Sequence, residues 1–252
     1  MKTPYIGFTG FMSRTEVNQV LKHFKTLETK RRLMIGVLAN MKTLFGKPPG
    51  NPKKYPLIHR LVELFPDDPA TLNLVHYTTP DLDTLFLQMC RITTLAGPHF
   101  EGFQMNIAWP RPTVLSAYRN RFPHFRLILQ VGHHAFEQVH SDPVQLAQKV
   151  GEYGDAPTDI LLDLDGSKGK MLDIKKLGPY ISEVRSRFPN IGIGIAGKLG
   201  LKTIERIKPF GKLFPRVNID TESELRTLQG DLEIDRVKQY LEDAVYALPF
   251  PK

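Results

Sequence analysis

The sequence holds one cysteine, Cys90, in 252 residues. An intramolecular disulfide is excluded, and so is a metal centre built on clustered cysteines. Long apolar runs are missing too: none approaches the roughly 20 residues that cross a bilayer. Met1-Lys2-Thr3-Pro4 lacks the basic-then-apolar order of a secretory signal, so a cytoplasmic protein with no membrane partner is expected. Gly7-Phe8-Thr9-Gly10 is not the glycine fingerprint of a dinucleotide fold, and no helical HExxH is present to seat zinc. Acidic residues are the scarcer sign, 26 against 34 basic ones, for a net charge of +8. That excess favours anionic partners such as phosphorylated metabolites or nucleic acid. The basic residues are dispersed, with no recognisable motif that interleaves them with aromatics, which ranks nucleic acid last.

What is present is alternation. Short β-rich apolar segments recur at Tyr5–Phe8, Leu33–Ala39, Leu72–Tyr77, Phe103–Ala108, Arg126–Val131, Ile160–Asp163, Ile191–Ala196 and Val217–Ile219. Helical patterns follow them at about Ser13–Leu27, Leu57–Phe65, Leu82–Thr93, Thr113–Phe122, Val144–Tyr153, Pro179–Phe188, Leu201–Ile207 and Ile234–Leu248. Ser13-Arg14-Thr15-Glu16 reads as a capping box. Thr79-Pro80 and Asp142-Pro143 each read as an N-cap followed by proline at the first helical position. Phe65-Pro66, Phe122-Pro123, Phe188-Pro189 and Phe214-Pro215 punctuate the helix exits, because proline cannot continue a helix. Strands alternating with helices imply a parallel sheet. Eight such units in a chain of this length fit a closed (β/α)₈ barrel, one domain over residues 1–252. A doubly wound open sheet is the alternative. The Met41–Pro56 stretch, rich in Pro, Gly and Lys, is expected to be a long loop after the second strand.

In such a barrel, chemistry gathers at the C-terminal ends of the strands. Those ends deliver Thr9 and Gly10; Asn40 and then Lys53-Lys54-Tyr55; His76-Tyr77; Asn106 and Trp109; Gln130 and then His133-His134; Asp163, Asp165 and Gly166–Lys170; Gly197-Lys198; and Asn218, Asp220 and Thr221-Glu222. Asp163 stands out because it closes Ile160-Leu161-Leu162, where a buried strand should stay apolar. A carboxylate there either caps a loop through backbone N–H groups or does chemistry. Lys168, Gly169 and Lys170, and Gly197 with Lys198, are candidate anion holders, since small residues let backbone N–H groups approach and lysine adds charge. The loops after strands seven and eight are the recurring phosphate site of this fold. His133 and His134, as neighbours on an extended segment, point apart, so no metal is expected. Asp163-Leu164-Asp165-Gly166 opens like a calcium loop, but Ile174 stands where the closing Glu belongs. Cys90 reads as a core thiol, and Tyr55, Trp109 and Phe136 as packing residues or a stacking surface.

At these strand ends the sequence resembles phosphoribosylanthranilate isomerase. Ile160-Leu161-Leu162-Asp163 is similar to the family's Leu-Leu-Asp motif, and Gly166–Lys170 with Asp173 to its glycine-rich segment after strand six. Ile195-Ala196-Gly197-Lys198-Leu199 is similar to its phosphate loop, Val217–Glu224 to its eighth strand, and Lys53-Lys54-Tyr55 to its Lys-Arg-Tyr stretch. The resemblance implies an Amadori rearrangement of a phosphorylated sugar derivative with no cofactor. Asp163 would be the general acid, Lys54 and His133 substrate contacts, and Lys168, Gly169, Lys170, Gly197, Lys198 and Thr221 the phosphate-binding set. It leaves monomer and homodimer both open. The chain departs from the pattern at the family's cysteine base, which is Thr9 here, and Asp220 or His133 are the neighbours able to take a proton. Lys198 and Glu222 replace glycines near the phosphate, and Lys54 replaces the arginine fork. A diverged relative that binds a phosphorylated metabolite without turning it over, or an enzyme of different substrate, is the competing expectation.

Overall fold

The computed structural model describes residues 2–163 and 174–250. Eight parallel strands close into a barrel in sequence order, β8 pairing back onto β1. They are β1 (Tyr5–Thr9), β2 (Arg32–Asn40), β3 (Thr71–Thr78), β4 (Gly102–Met105), β5 (Arg126–Val131), β6 (Asp159–Asp163), β7 (Gly192–Ala196) and β8 (Asn218–Thr221). The expected strands are all present, most within a residue or two. The exception is β4, which stops at Met105 rather than Ala108, because the chain bends and Trp109 adopts φ 49°.

The main helices are α1 (Arg14–Phe24), α4 (Leu85–Ala96), α5 (Pro112–Arg121), α7 (Pro143–Gly151), α8 (Ile174–Arg187) and α10 (Ile234–Ala247). Shorter ones are α2 (Met41–Leu44), α3 (Leu61–Leu64), α6 (His133–Gln138) and α9 (Lys208–Leu213). The capping box forms: Glu16 N–H donates 3.2 Å to Ser13 Oγ, and Ser13 N–H donates 2.9 Å to Glu16 Oε2. Asp142 caps α7 by accepting from Gln145 N–H at 2.8 Å. Thr79-Pro80 does not cap a helix. The segment after it spends Asp81 on a turn, accepting from Thr84 N–H and Oγ1, and α4 begins only at Leu85. The four Phe-Pro pairs do follow helices, with Phe65, Phe122 and Phe214 the capping residues of α3, α5 and α9 and Phe188 the residue after α8.

Alternation along each strand sorts side chains between lumen and helix layer. Ile6, Phe8, Leu33, Ile35, Val75, Phe103 and Leu129 pack outward under the helices in the large core. Tyr5, Met34, Leu72, Leu74, Ile128, Leu161 and Ala196 form a second, separate cluster that fills the lumen. Below this plug, at the N-terminal end, Arg126 and Asp159 make a buried bidentate pair at 2.7 and 2.6 Å. Asn218 Nδ2 donates to Asp159 Oδ1 at 3.0 Å, and Thr158 Oγ1 to Oδ2 at 2.7 Å. Above the plug the lumen turns polar, and that end is the mouth.

Candidate functional site

A cavity of about 530 Å³ opens at the mouth, lined by His76, Asn106, Gln130, His133, Asp163 and Glu222 among others. It is the mouth because β3, β5, β6 and β8 all end there, and their lumen-facing side chains converge by register rather than by sequence proximity. A groove of similar size, about 510 Å³, lies at the opposite end around Thr158, Arg187 and Ile191. It gathers no carboxylate–histidine–amide convergence of the kind found at the mouth.

A continuous hydrogen-bonded chain runs from the cavity floor into the lumen beneath it. Gln130 Nε2 donates to Asp163 Oδ2 at 3.0 Å. Gln104 Nε2 donates to Gln130 Oε1 at 3.2 Å and, across the lumen, to Asp220 Oδ2 at 3.0 Å. Thr9 Oγ1 donates to both Asp220 oxygens at 3.1 Å. Gln104 Nε2 also stands 3.3 Å from His76 Nδ1. Two glycines make room for this packing. A Cβ on Gly36 would fall 2.4 Å from Thr9 Oγ1, and one on Gly7 would fall 2.9 Å from Asp220 Oδ1.

Burial dominates the electrostatics. Asp220 is 4% exposed, and loss of water raises its carboxyl to about 7, with the Glu222 charge adding to the rise and the Gln104 and Thr9 hydrogen bonds opposing it. Burial lowers the His76 imidazole below its ordinary value, against a smaller upward pull from Glu222. His76 is therefore neutral at physiological pH.

The expected site residues distribute as follows. Asp163 and His133 line the cavity. Thr9 and Asp220 lie together but beneath the floor, both buried. Lys54 reaches the mouth and spends its ammonium on Glu222 Oε1 at 2.7 Å. Gly197 and Lys198 turn the chain after β7 with φ 106° and 45°, and the Lys198 side chain is exposed. Thr221 faces outward from β8 and donates its hydroxyl to Leu199 O, so its side chain braces the turn after β7. Lys168, Gly169 and Lys170 lie outside the described residues.

Two expectations need correction. His133 and His134 are not on an extended segment: they open α6, where His133 Nε2 meets Glu137 Oε1 at 3.0 Å and His134 Nδ1 meets Oε2 at 3.2 Å. The two rings reach one carboxylate because a helix brings neighbours three and four apart together. Cys90 is half-buried rather than fully enclosed, its thiol raised by burial. The packing expected of Phe136 and Trp109 is found: Phe136 is core, and Trp109 packs against it with its Nε1 donating to Ala135 O at 2.9 Å and its ring 6.2 Å from Tyr153. Among the described residues no group of three or more His, Cys, Asp and Glu side chains is arranged to hold a metal, and no helix is long and apolar enough to cross a membrane.

Gln130, placed at the mouth by its strand end, and Gln104 and Arg226, which drew no attention in the sequence, carry the site's connections. Arg226 is buried beside Gly10, donating from Nη2 to Gly10 O at 2.5 Å and from Nη1 to Gly230 O at 2.8 Å and Lys53 O at 3.3 Å. With the Lys53–Asp231 pair at 2.8 Å and Lys54–Glu222, it clasps the loop after β2 to the loop after β8, over the end of β1. The one signal available was an arginine in a segment otherwise typical of a solvated turn.

No protein-family model matches the chain, and no curated protein matches it. Solved structures do. The phosphoribosyl anthranilate isomerase from Thermus thermophilus aligns at 12% identity and TM-score 0.62 over 96% of this chain and 98% of that one. The enzyme of the same name from Thermococcus kodakaraensis aligns at 14% and 0.60 over 96% and 98%. An active domain of a thermostable chitinase from Pyrococcus furiosus aligns at 9% and 0.61 over 98% and 95%. At these identities the likeness is one of fold: this chain has a barrel like that of phosphoribosylanthranilate isomerases, and the chitinase fits it almost equally well.

Proposed function

We propose that the chain is an acid–base isomerase of the phosphoribosylanthranilate isomerase type, converting a phosphorylated aldose derivative to its aminoketose without a cofactor. The observation that carries this reading is the chain Asp163–Gln130–Gln104–Asp220, which couples two carboxyls of different environment at the mouth. An acid and a base acting in sequence require two carboxyls in different environments, and Asp220 is buried where Asp163 stands half-exposed on the cavity wall. Asp163, on the cavity wall, protonates the ring oxygen so that the sugar opens to an imine. Asp220, titrating near neutrality and oriented by Thr9, is the base for the proton on the adjacent carbon, and the substrate has to displace the Gln104 bond that covers it to come within reach. The phosphate lies against the turns after β7 and β8, with Gly197 and Lys198 in contact and Thr221 bracing the turn, and Lys168, Gly169 and Lys170 belong to the anion-holding set. His133 and Lys54 contact the rest of the substrate. One domain over 1–252, acting as monomer or homodimer on a small anionic substrate in the cytoplasm, goes with this reading.

A second reading rests on Glu222. Its carboxylate stands on the cavity wall and already holds Lys54. A substrate carboxylate would have to displace that bond, which favours a different substrate or a non-catalytic barrel that binds a phosphorylated metabolite. Turnover of phosphoribosylanthranilate by purified protein, with Asp163→Asn in parallel, separates the two. Wild-type turnover lost by at least 10²-fold in the variant supports the isomerase. A folded wild type without turnover removes it, and thermal stabilisation by phosphorylated metabolites then tests the binding role.

A further inference from the structure

We propose that His76 is a substrate-contacting residue of this site, held by Gln104 as the neutral Nε2–H tautomer so that it donates one hydrogen bond to an acceptor oxygen of the ligand. The inference rests on reading the barrel mouth as the working site, and not on which substrate is turned over there.

The argument is a count of hydrogens. Gln104 Nε2 carries two, and three acceptor positions surround it: Asp220 Oδ2 at 3.0 Å, Gln130 Oε1 at 3.2 Å and His76 Nδ1 at 3.3 Å. Turning the amide over would bring its oxygen against Asp220 Oδ2 and Gln130 Oε1. That arrangement needs Asp220 protonated and Gln130 reversed as well, and reversing Gln130 sets its oxygen against Asp163 Oδ2. Gln130, donating from Nε2 to Asp163 Oδ2, presents its Oε1 to Gln104, so the row has one direction in either state of Asp220, and it sets the Gln104 NH₂ group beside His76. A hydrogen on Nδ1 would point at an amide NH₂ group, which has no lone pair to accept it, so Nδ1 is bare, sharing at most one Gln104 hydrogen with Gln130 or Asp220, and the ring proton sits on Nε2. His76 lines the cavity, and Nε2 is the ring atom left facing it. Gln104 Oε1 is buried with no partner, which fits an amide whose orientation is dictated from its nitrogen side. The charged groups near the ring are Glu222, on the cavity wall, and Asp220, beneath the floor. Burial and the Gln104 NH₂ group both disfavour imidazolium. A neutral N–H donor at the floor suits a carbonyl, hydroxyl or phosphate oxygen, and Gln104 acts through His76 as a positioning residue.

Long-range ¹H–¹⁵N NMR of ¹⁵N-histidine-labelled wild type, with His76→Gln to assign the signal, reads the tautomer without any substrate. The Nε2–H form at pH 7 is expected. An Nδ1–H form or an imidazolium there overturns the proposal. Gln104→Met should turn the His76 signal into a tautomer mixture, and an unchanged Nε2–H signal overturns Gln104 as the lock. Contact is tested by titrating wild type with ribulose 5-phosphate and following the His76 signals and the melting temperature. A shifted Nε2 signal, with the stabilisation kept at least in part by His76→Gln and lost in His76→Phe, supports the proposal. Stabilisation without a His76 shift, or no stabilisation of wild type, overturns it. If wild type proves inactive on phosphoribosylanthranilate, the isomerase reading fails while these readouts still decide the role of His76.

Discussion

Asp220 concentrates the residue-scale physics. Its carboxyl is raised to about 7 from an ordinary 3.8, chiefly by burial. The folded protein therefore keeps this proton where the unfolded chain has lost it. From pH about 4 to 7 the folded state binds more protons, so stability falls as pH rises, and the full penalty, on the order of 4 kcal/mol, is present above 7. Asp220→Asn removes the ionisation. Its melting temperature relative to wild type should climb from pH 4 to pH 8, and a difference constant with pH would show that Asp220 titrates as an ordinary carboxylate. Asp163 was legible in the sequence because it closes an apolar strand, and Asp220 because it follows one at the C-terminal end where chemistry gathers. His76 was placed at the mouth by its strand end but given no role, and Gln104, inside a strand, was not singled out at all. Their meaning depends on β4 facing β8 across the lumen, a contact between residues 116 apart in sequence.

Among the elements, helix starts were most legible where side chain and backbone answer each other locally. The α1 box is closed on both sides by Ser13 and Glu16, with Met12 N–H also donating to Glu16 Oε2 at 2.7 Å. Ser13→Ala should cost about 1 kcal/mol in urea unfolding, the usual loss of a cap, and a cost near zero would mean Glu16 alone holds the turn. Thr79-Pro80 misled for the complementary reason: proline after a threonine suits a helix start and a turn equally, and Asp81 decided for the turn. The short α6 escaped because six residues carry too little periodicity to be read. The loop after β2 was recognised as a loop, but not that it opens with α2 under its own Asn40 cap. Nor could its clasp be foreseen, since each of the three cations involved finds its partner on the far side of β1.

The whole molecule divides into two ends, and that division is open to a direct test. At the N-terminal end the Arg126–Asp159 pair is sealed, the side chains 5% and 1% exposed. Arg126→Met strands a buried carboxylate with only Asn218 and Thr158 donating to it, and should cost about 3–5 kcal/mol. The apolar plug of Met34, Leu74, Ile128 and Leu161 lies between that pair and the mouth, so the variant, held well below its melting temperature, should keep wild-type turnover or metabolite stabilisation. Asp163→Asn is the reverse case. Its carboxyl sits at a half-exposed strand end on the cavity wall, where a substitution that keeps the volume changes stability by about 0.5 kcal/mol or less, while function should be lost. In barrels of this kind the C-terminal strand ends and their loops carry the chemistry, and the N-terminal face carries stability. Melting curves and activity measured on both variants give four numbers. If Arg126→Met loses function while still folded, or Asp163→Asn melts far below wild type, the two ends are coupled through the plug, and the mouth cannot be treated as a site carried on an indifferent scaffold.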